Sequence, residues 1–417
     1  MPYLSEHKLK ELIKVTRGAS LSGQYFAEEG DLIRLTLGNF DYANGGFKEN
    51  SSKDNIYYSG SVSENFIMNE GDIITPLTEQ TPGLLGSTAR IPESGKYIQS
   101  QDVGLVTCDE EKIDKDFCYY LLPSEIVKKQ LAAGAQQTKI RHTSPDKIEA
   151  CTVFIPKPKE QKKIGRLLSA IDKIIDLKRK EIDRLKLMAK QIYDYWFVQF
   201  DYPDDEGRPY KSSGGKMIWN ETIKREIPEG WEVLNVFDAA NVLYGYPFST
   251  DCFVEEPTNK PVVRIRDILD NTSSAYTTEN VDEVYRLNEG DLVIGMDGNF
   301  HMNYWHDNRC YLNQRCVRIR DIPEIPLSPM QLFFNIKPIL DHKQRLIQGS
   351  TVGHLLDSDI KEFWIICPPQ EKRKYIKSQF DNILKSITRN KQEVVLLDNL
   401  RSYLLPILMN GQVTIKD

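Results

Sequence analysis

Residues 164–196 read IGRLLSAIDKIIDLKRKEIDRLKLMAKQIYDYW, and residues 376–408 read IKSQFDNILKSITRNKQEVVLLDNLRSYLLPIL. In the first stretch apolar residues fall at Ile164, Leu168, Ile171, Ile175, Ile182, Leu185, Ala189, Ile192 and Trp196. Their steps alternate between four and three, the seam of a coiled-coil helix, and only Lys178 breaks it. The second stretch repeats the register at a constant offset, with Ile376, Phe380, Ile383, Ile387, Val394, Leu397, Leu404 and Leu408. The break repeats as well: Asn390 stands where Lys178 stands. Arg401, opposite Ala189, is a second departure. Each stretch predicts a helix of about 33 residues, roughly 50 Å long, against about 11–12 residues for an ordinary globular helix.

Working outward, both helices follow matching stops, Pro156-Lys157-Pro158-Lys159-Glu160 and Pro368-Pro369-Gln370-Glu371-Lys372. Prolines close the preceding strand, and a glutamate suits the positive end of the helix. The segments ahead of the stops also echo one another. Asn69-Glu70-Gly71-Asp72-Ile73-Ile74 returns as Asn288-Glu289-Gly290-Asp291-Leu292-Val293, an offset of 219. Ile33-Arg34-Leu35 is echoed by Val263-Arg264-Ile265, and Tyr97, Val103 and Leu105 by Tyr311, Val317 and Ile319. A drifting offset is what two copies of one domain show when their loops differ in length. The expected plan is a domain at 1–156, a spacer helix at 157–200, a linker at 201–228, a second domain at 229–368, a second helix at 369–410 and a tail at 411–417. Two similar halves favour a pseudo-two-fold arrangement. If the seams pair antiparallel, Lys178 and Asn390 meet near the crossing and fix register. Two alternatives stay open: Lys178 snorkels to solvent, or the long linker loops back to allow a parallel pair.

Composition narrows the class. The chain has 417 residues, 54 Lys and Arg against 60 Asp and Glu, a net charge of -6, and 40% apolar residues. That excludes a disordered or fibrous chain, and no apolar run is long enough to span a bilayer. Met1-Pro2-Tyr3-Leu4-Ser5-Glu6-His7-Lys8 lacks the apolar core of a secretory signal. Seven cysteines without a CxxC pair suit reduced thiols, so the expectation is a soluble, cytoplasmic protein.

A search for catalytic motifs yields no phosphate-binding G-x-x-x-x-G-K-[ST] loop, no strand-linked G-x-G-x-x-G, and no Asn/Asp-Pro-Pro-aromatic run of the amino-methyltransferase kind. Two weak patterns remain. Asp146, Glu160 and Lys162 fit the loose carboxylate-and-lysine pattern of metal-dependent nucleases. His301, His306, Cys310 and Cys316 have the residue types of a zinc set without its tight knuckle spacing. The expectation is no catalytic residue and no metal site.

Recognition surface is the stronger reading of the polar stretches. Asn299, His301, Asn303, Tyr304, Trp305, His306 and Arg309 form a polar-aromatic segment between apolar strands. Asn, His and Arg can read base edges, while Trp and Tyr stack or wedge. The matching position of the first copy runs from Gln80 and Thr81 to Arg90. A second cluster, with Gln136, Gln137, Lys139, Arg141 and His142, is matched by Gln348 to His354, including Thr351. Solvated loops without special role are the bland alternative. Between Lys157 and Lys190, twelve basic residues face five acidic ones, a local charge of +7 in a chain of -6. Such a rod can follow DNA phosphates without reading sequence, or simply form a solvated coiled-coil exterior.

Glu160-Gln161-Lys162-Lys163-Ile164 leading into the heptads, then Tyr193-Asp194-Tyr195-Trp196-Phe197-Val198-Gln199-Phe200-Asp201, resembles the central region of type I restriction–modification specificity subunits. Gly207-Arg208-Pro209-Tyr210-Lys211-Ser212-Ser213-Gly214-Gly215-Lys216-Met217, Glu226-Ile227-Pro228-Glu229-Gly230-Trp231-Glu232 and the final Leu408-Met409-Asn410-Gly411-Gln412 resemble it too. The resemblance implies two mixed α/β (α+β) target-recognition domains on two long antiparallel coiled-coil helices. Each domain would read half of a bipartite, asymmetric double-stranded DNA target in the major groove. The helices would set the unspecified spacer and dock two modification (methyltransferase) subunits, with restriction subunits joining the assembly. This chain would hold no cofactor. Its partners would use S-adenosylmethionine for adenine methylation, and ATP and Mg for translocation and cleavage. The second junction, Pro369-Gln370-Glu371-Lys372, departs from the Glu160-Gln161 pattern.

Overall fold

The computed structural model describes residues 4–41, 45–50, 56–79, 83–134, 141–257, 260–347 and 353–416. It divides into two units, Met1–Leu177 with Val395–Asp417, and Lys178–Val394. In the first unit, β1 (Ile13–Arg17), β2 (Ile73–Pro76), β3 (Ala89–Arg90) and β4 (Val103–Cys108) form an antiparallel sheet in the order β1-β4-β2-β3. In the second, β5 (Ala240–Tyr244), β6 (Leu292–Gly295), β7 (Met302–Tyr304) and β8 (Cys316–Asp321) form one in the order β5-β8-β6-β7. The topology is the same. Each unit adds an antiparallel pair of outer strands, Ser5–Lys8 with Thr152–Ile155 and Glu232–Asn235 with Trp364–Cys367. Each also adds a short parallel pair, Ile33–Arg34 with Tyr97–Ile98 and Val262–Val263 with Tyr311–Leu312.

Pairing corrects the repeat by one or two positions. Ile73 faces Val106, and its counterpart Leu292 faces Ile319, so Ile319 answers to Val106 rather than Leu105. Ile98 bridges Ile67 and Tyr311 bridges Arg286, so Tyr311 answers to Ile98 rather than Tyr97. Arg34 pairs with Ile98 and Val262 with Tyr311, which places Val262 opposite Arg34 rather than Val263 opposite Ile33. Runs of apolar residues align equally well at adjacent offsets, but a shift of one exchanges the two faces of a strand.

The long helices are α1 (Pro158–Tyr193) and, after α2 (Pro329–Ile347), α3 (Gln370–Met409). Each unit buries part of both. Ile164, Leu168, Leu408 and Met409 join the core of the first around Leu9, Leu12 and Phe117. Ile182, Ala189, Ile376, Phe380, Ile383 and Ile387 join that of the second around Trp231 and Phe363. Pairing within each unit is antiparallel, which excludes the parallel alternative. In the first unit, Asp172 accepts a hydrogen bond from Arg401 at 2.8 Å. In the second, Lys178 Nζ donates to Asn390 Oδ1 at 2.9 Å, and Trp196 packs 6.2 Å from Tyr375. Lys178 also pairs with Glu393 at 2.7 Å, so its ammonium lies on α3 instead of snorkelling away alone.

The two junctions use one device with different residues. Buried Gln161 donates to the carbonyl of Pro156 at 2.9 Å and accepts from the Asp114 amide at 2.9 Å. Arg373, which the helix repeat places opposite Gln161, donates to the carbonyl of Pro368 at 2.8 Å and to Glu232 at 2.6 Å. The atypical second junction therefore keeps the lock that ties helix to domain.

The segment 201–228, expected as linker, is folded. Met217–Asn220 pairs antiparallel with Arg225–Pro228. Asp201 accepts from the amide and hydroxyl of Ser212 at 2.7 and 2.6 Å. Tyr202 stacks on Tyr210 at 4.9 Å and lies 5.0 Å from Trp231, and Phe197 and Phe200 pack on the same indole. Glycine and serine content suggested a tether, but Tyr202 is buried in the core of the second unit with Tyr210 packed against it, while Trp219 stays exposed.

Candidate nucleic-acid interface

The polar-aromatic segment 299–309 is partly framework. β7 pairs with β6, with Tyr304 opposite Leu292 and Asn303 opposite Val293. Strand alternation then sends Tyr304 into the core, where its ring lies 5.1 Å from Phe333 and burial pushes its hydroxyl pKa well up. Trp305 is completely buried, its indole N–H donating to the Asp307 carbonyl at 2.9 Å. Asn303 donates to the carbonyls of Ile268 and Leu269 at 3.1 and 3.0 Å, bracing a turn. Placing Tyr304 and Trp305 on a stacking surface is therefore corrected: they are packing residues, because both faces here are covered and the two side chains enter different apolar cores. His306 lies against α3, with Nδ1 3.4 Å from the Thr388 hydroxyl and Nε2 buried without a partner. Desolvation, helped by Lys391, lowers its pKa to about 4.

Other expected residues divide between structure and surface. Arg90 donates to Asp116 at 2.7 Å and lies 4.5 Å over the Tyr119 ring, so it is engaged within its own domain. Arg309 is exposed but binds Asp307 through Nε and Nη2 at 3.0 and 2.7 Å. Asn299 is exposed and His301 half-buried. His354 is exposed, its Nδ1 2.7 Å from Asp297. Gln80, Thr81, Gln136, Gln137, Lys139 and Thr351 lie outside the described residues, as does the side chain of Arg141. The backbone of Arg141–His142 is described and pairs with Thr78–Glu79.

Among the described residues no three His, Cys, Asp or Glu side chains are grouped to hold a metal ion. Cys310 and Cys316 are buried in one small core with Trp305, and burial pushes both thiols up to about 12. Asp146 sits in the first turn of a short helix, Pro145–Glu149, while Glu160 pairs with Lys163 at 3.3 Å. All seven cysteines are free thiols.

The strand ends carry a feature that the linear reading missed. The bridge between Thr78 and His142 recurs between Asp297 and His354. Leu77 donates to the Asp102 carbonyl at 2.8 Å and accepts from Thr143 at 2.9 Å; Met296 donates to that of Arg315 at 2.9 Å and accepts from Leu355 at 2.7 Å. On this shared mesh Thr78 is exchanged for Asp297 and Asp102 for Arg315, while a histidine stays. In the first unit a cleft of about 490 Å³ is lined by Thr36, Gly38, Thr78, Gln101, Asp102 and His142, among others. The signal was present in the repeat, but finding it required offsets correct to a single residue.

The fold and this site define a duplicated α+β recognition protein, with one framework, two different polar faces, and long helices threading both units. The model of the type I restriction modification DNA specificity domain matches residues 5–187 and again 228–397, and the chain belongs to this family. It is a DNA specificity subunit of a type I restriction–modification system. It is 23% identical over 323 residues to the MjaIX specificity subunit of Methanocaldococcus jannaschii, covering 74% of this chain and 71% of that one. It is 30% identical over 191 residues to the MjaVIII specificity subunit of the same organism, covering 44% and 43%. Against the EcoBI specificity subunit of Escherichia coli it is 25% identical over 195 residues, covering 46% and 41%. Its fold resembles that of a type I system S subunit from M. genitalium, with a TM-score of 0.63 and 14% identity, covering 97% and 96%.

Proposed function

We propose that each recognition domain reads one half of a bipartite, asymmetric DNA target, and that α1 and α3 set the unspecified spacer and dock two modification subunits. One observation carries this reading: two domains with the same strand mesh present different side chains at equivalent strand ends. Two readers of two different half-sites need that arrangement. At 36 residues α1 is about 54 Å long, enough for a ruler on the scale of one DNA turn, about 34–36 Å. The basic stretch along α1 supplies phosphate attraction without sequence preference.

The chain itself catalyses nothing in this reading. Modification subunits supply adenine methylation with S-adenosylmethionine, restriction subunits supply ATP- and Mg-dependent translocation and cleavage, and the assembly works in the cytoplasm. No helix among the described residues is long and apolar enough to cross a membrane. The test is a map of methylated adenines in cells with and without the gene. One bipartite motif is expected to disappear on deletion; a map that does not change in cells with active partners overturns the proposal. Purified chain with magnesium is expected to leave duplex DNA intact, and cleavage would favour a nuclease built on Asp146, Glu160 and Lys162.

A further inference from the structure

We propose that Arg315, oriented by Asp297 and flanked by His354, reads a guanine in the half-site of the second domain, and that Asp102 holds the matched position of the first domain for a different base. This rests on the proposed function above and names the residues through which it acts.

The geometry is that of a braced donor fork. Arg315 is 62% exposed, and its Nε lies 3.3 Å from Asp297 Oδ2, a carboxylate that is only 23% exposed. The other oxygen of Asp297 contacts His354 Nδ1 at 2.7 Å, so one carboxylate braces both side chains. No hydrogen bond within the described residues takes up Nη1 or Nη2 of Arg315. Neighbouring arginines differ. Arg264 is turned onto Asp267 and Ser274, Arg309 onto Asp307, and Arg320 onto Asp291. Arg315 thus has Nη1 and Nη2 free beside its ion pair, and guanine O6 and N7 are the two acceptors that match such a fork in the major groove.

Charge argues for a base rather than a phosphate. The Asp297–Arg315 pair is neutral overall, and its carboxylate repels a phosphate brought against it. The acceptor edge of a base is uncharged and meets no such repulsion. Phosphate attraction has a separate source in the same domain. Arg266, exposed on the turn Ile265–Asp267, stands where the first domain has Gly38 on the turn Leu37–Asn39. Both turns are capped the same way: Asn39 accepts from the Thr36 amide and Asp267 from the Arg264 amide, each at 2.9 Å. In the first domain Asp102 offers only acceptors, so the matched position there selects an exocyclic amine, as on cytosine.

The test uses the subunit assembled with its modification partners. Wild-type methylome mapping gives the motif; failure to find any bipartite motif tells against the function proposed above, not against Arg315. With the motif known, Arg315→Ala is expected to relax one G·C position of one half-site. Discrimination there falls about 5- to 150-fold while the other half is unchanged. Arg315→Lys keeps the charge but loses the fork, and is expected to relax the same position. Binding to cognate and unrelated duplexes is compared for both variants. Equal losses on all sequences, or an Arg315→Ala protein with wild-type discrimination, would mean that Arg315 reads no base and would overturn the proposal. Because the side chain is mostly exposed, thermal unfolding is expected to stay as in wild type.

Discussion

Strands β4 and β8 occupy the same place in their sheets, yet one position on the matching face is filled in opposite ways. In the first unit Val103 packs with Leu35, Phe40 and Ile74 in an apolar cluster, and Leu105 rests against it. In the second the same positions are Cys316 and Arg318, the latter almost wholly buried. Arg318 donates to the Val284 carbonyl at 3.0 Å and to Asn241 at 2.5 Å, and burial pulls its pKa down. Two positions along, Arg320 grips Asp291 with two bonds of 2.6 Å. A duplicated framework therefore tolerates either filling, with Nη1 and Nη2 of the buried cation given acceptors while its Nε is buried without one. Divergence between the copies is not confined to loops. Similar exchange is seen in the helix seam, where Asp172 and Arg401 join α1 to α3 in the first unit, while their counterparts Leu384 and Ala189 are buried in the apolar core of the second.

Exchanging one copy puts the greatest strain on this contrast. Replacing residues 229–368 with the second domain of another family member is expected to change one half-site completely and leave the other intact, read from the methylation motif. A change in both would end the idea of independent readers. Next in size is packing. Trp305 and its counterpart Ile91 are both fully buried, each accepting at its carbonyl from a glycine amide, Gly290 and Gly71, at 2.8 Å. Trp305→Ala is expected to cost about 3–5 kcal/mol, lowering hydrogen-exchange protection in the second unit only.

The neighbouring position separates the units by pH. His306 is neutral in the fold, its pKa lowered to about 4 by burial and then by Lys391, while the first unit has Pro92 there. An unfolded histidine titrates near 6.5, so protons favour the unfolded chain between those values. This part of the stability is complete above about pH 6.5 and falls as the pH drops towards 4, by up to about 3 kcal/mol. His306→Leu is expected to flatten that slope in unfolding measurements of the second unit and leave the first unchanged. The helix stitches give the smallest effects. Asn390→Ala removes a bond from a charged donor at a buried site, for about 1.5–3 kcal/mol. Arg401→Ala breaks more solvated pairs and is expected to cost about 1 kcal/mol or less; the reverse order would mean that the first unit's stitch is the stronger.

Much of this was legible in the residues. The long helices, the duplication and the breaks at Lys178 and Asn390 could be read directly. His354 stood out by its residue type, but its carboxylate partner did not. Tyr304 and Trp305 were not legible, because a polar-aromatic run looks the same whether its aromatics face water or a core. Asp297 and Arg315 were missed for a related reason. They lie well apart in the chain and acquire meaning only when hydrogen bonds bring their strands together and show what the other domain carries there.

The seam spacing is enough to specify the long helices, because the helical period is local and so sustained a run of it leaves little alternative. Composition likewise specifies a chain able to bury two cores. Only packing in three dimensions could make the seams antiparallel, bury Tyr202 against Trp231 rather than leave it on a tether, and align the repeat at the offsets observed. Those outcomes depend on contacts between residues far apart in sequence, and in strands a shift of one residue inverts which face is buried.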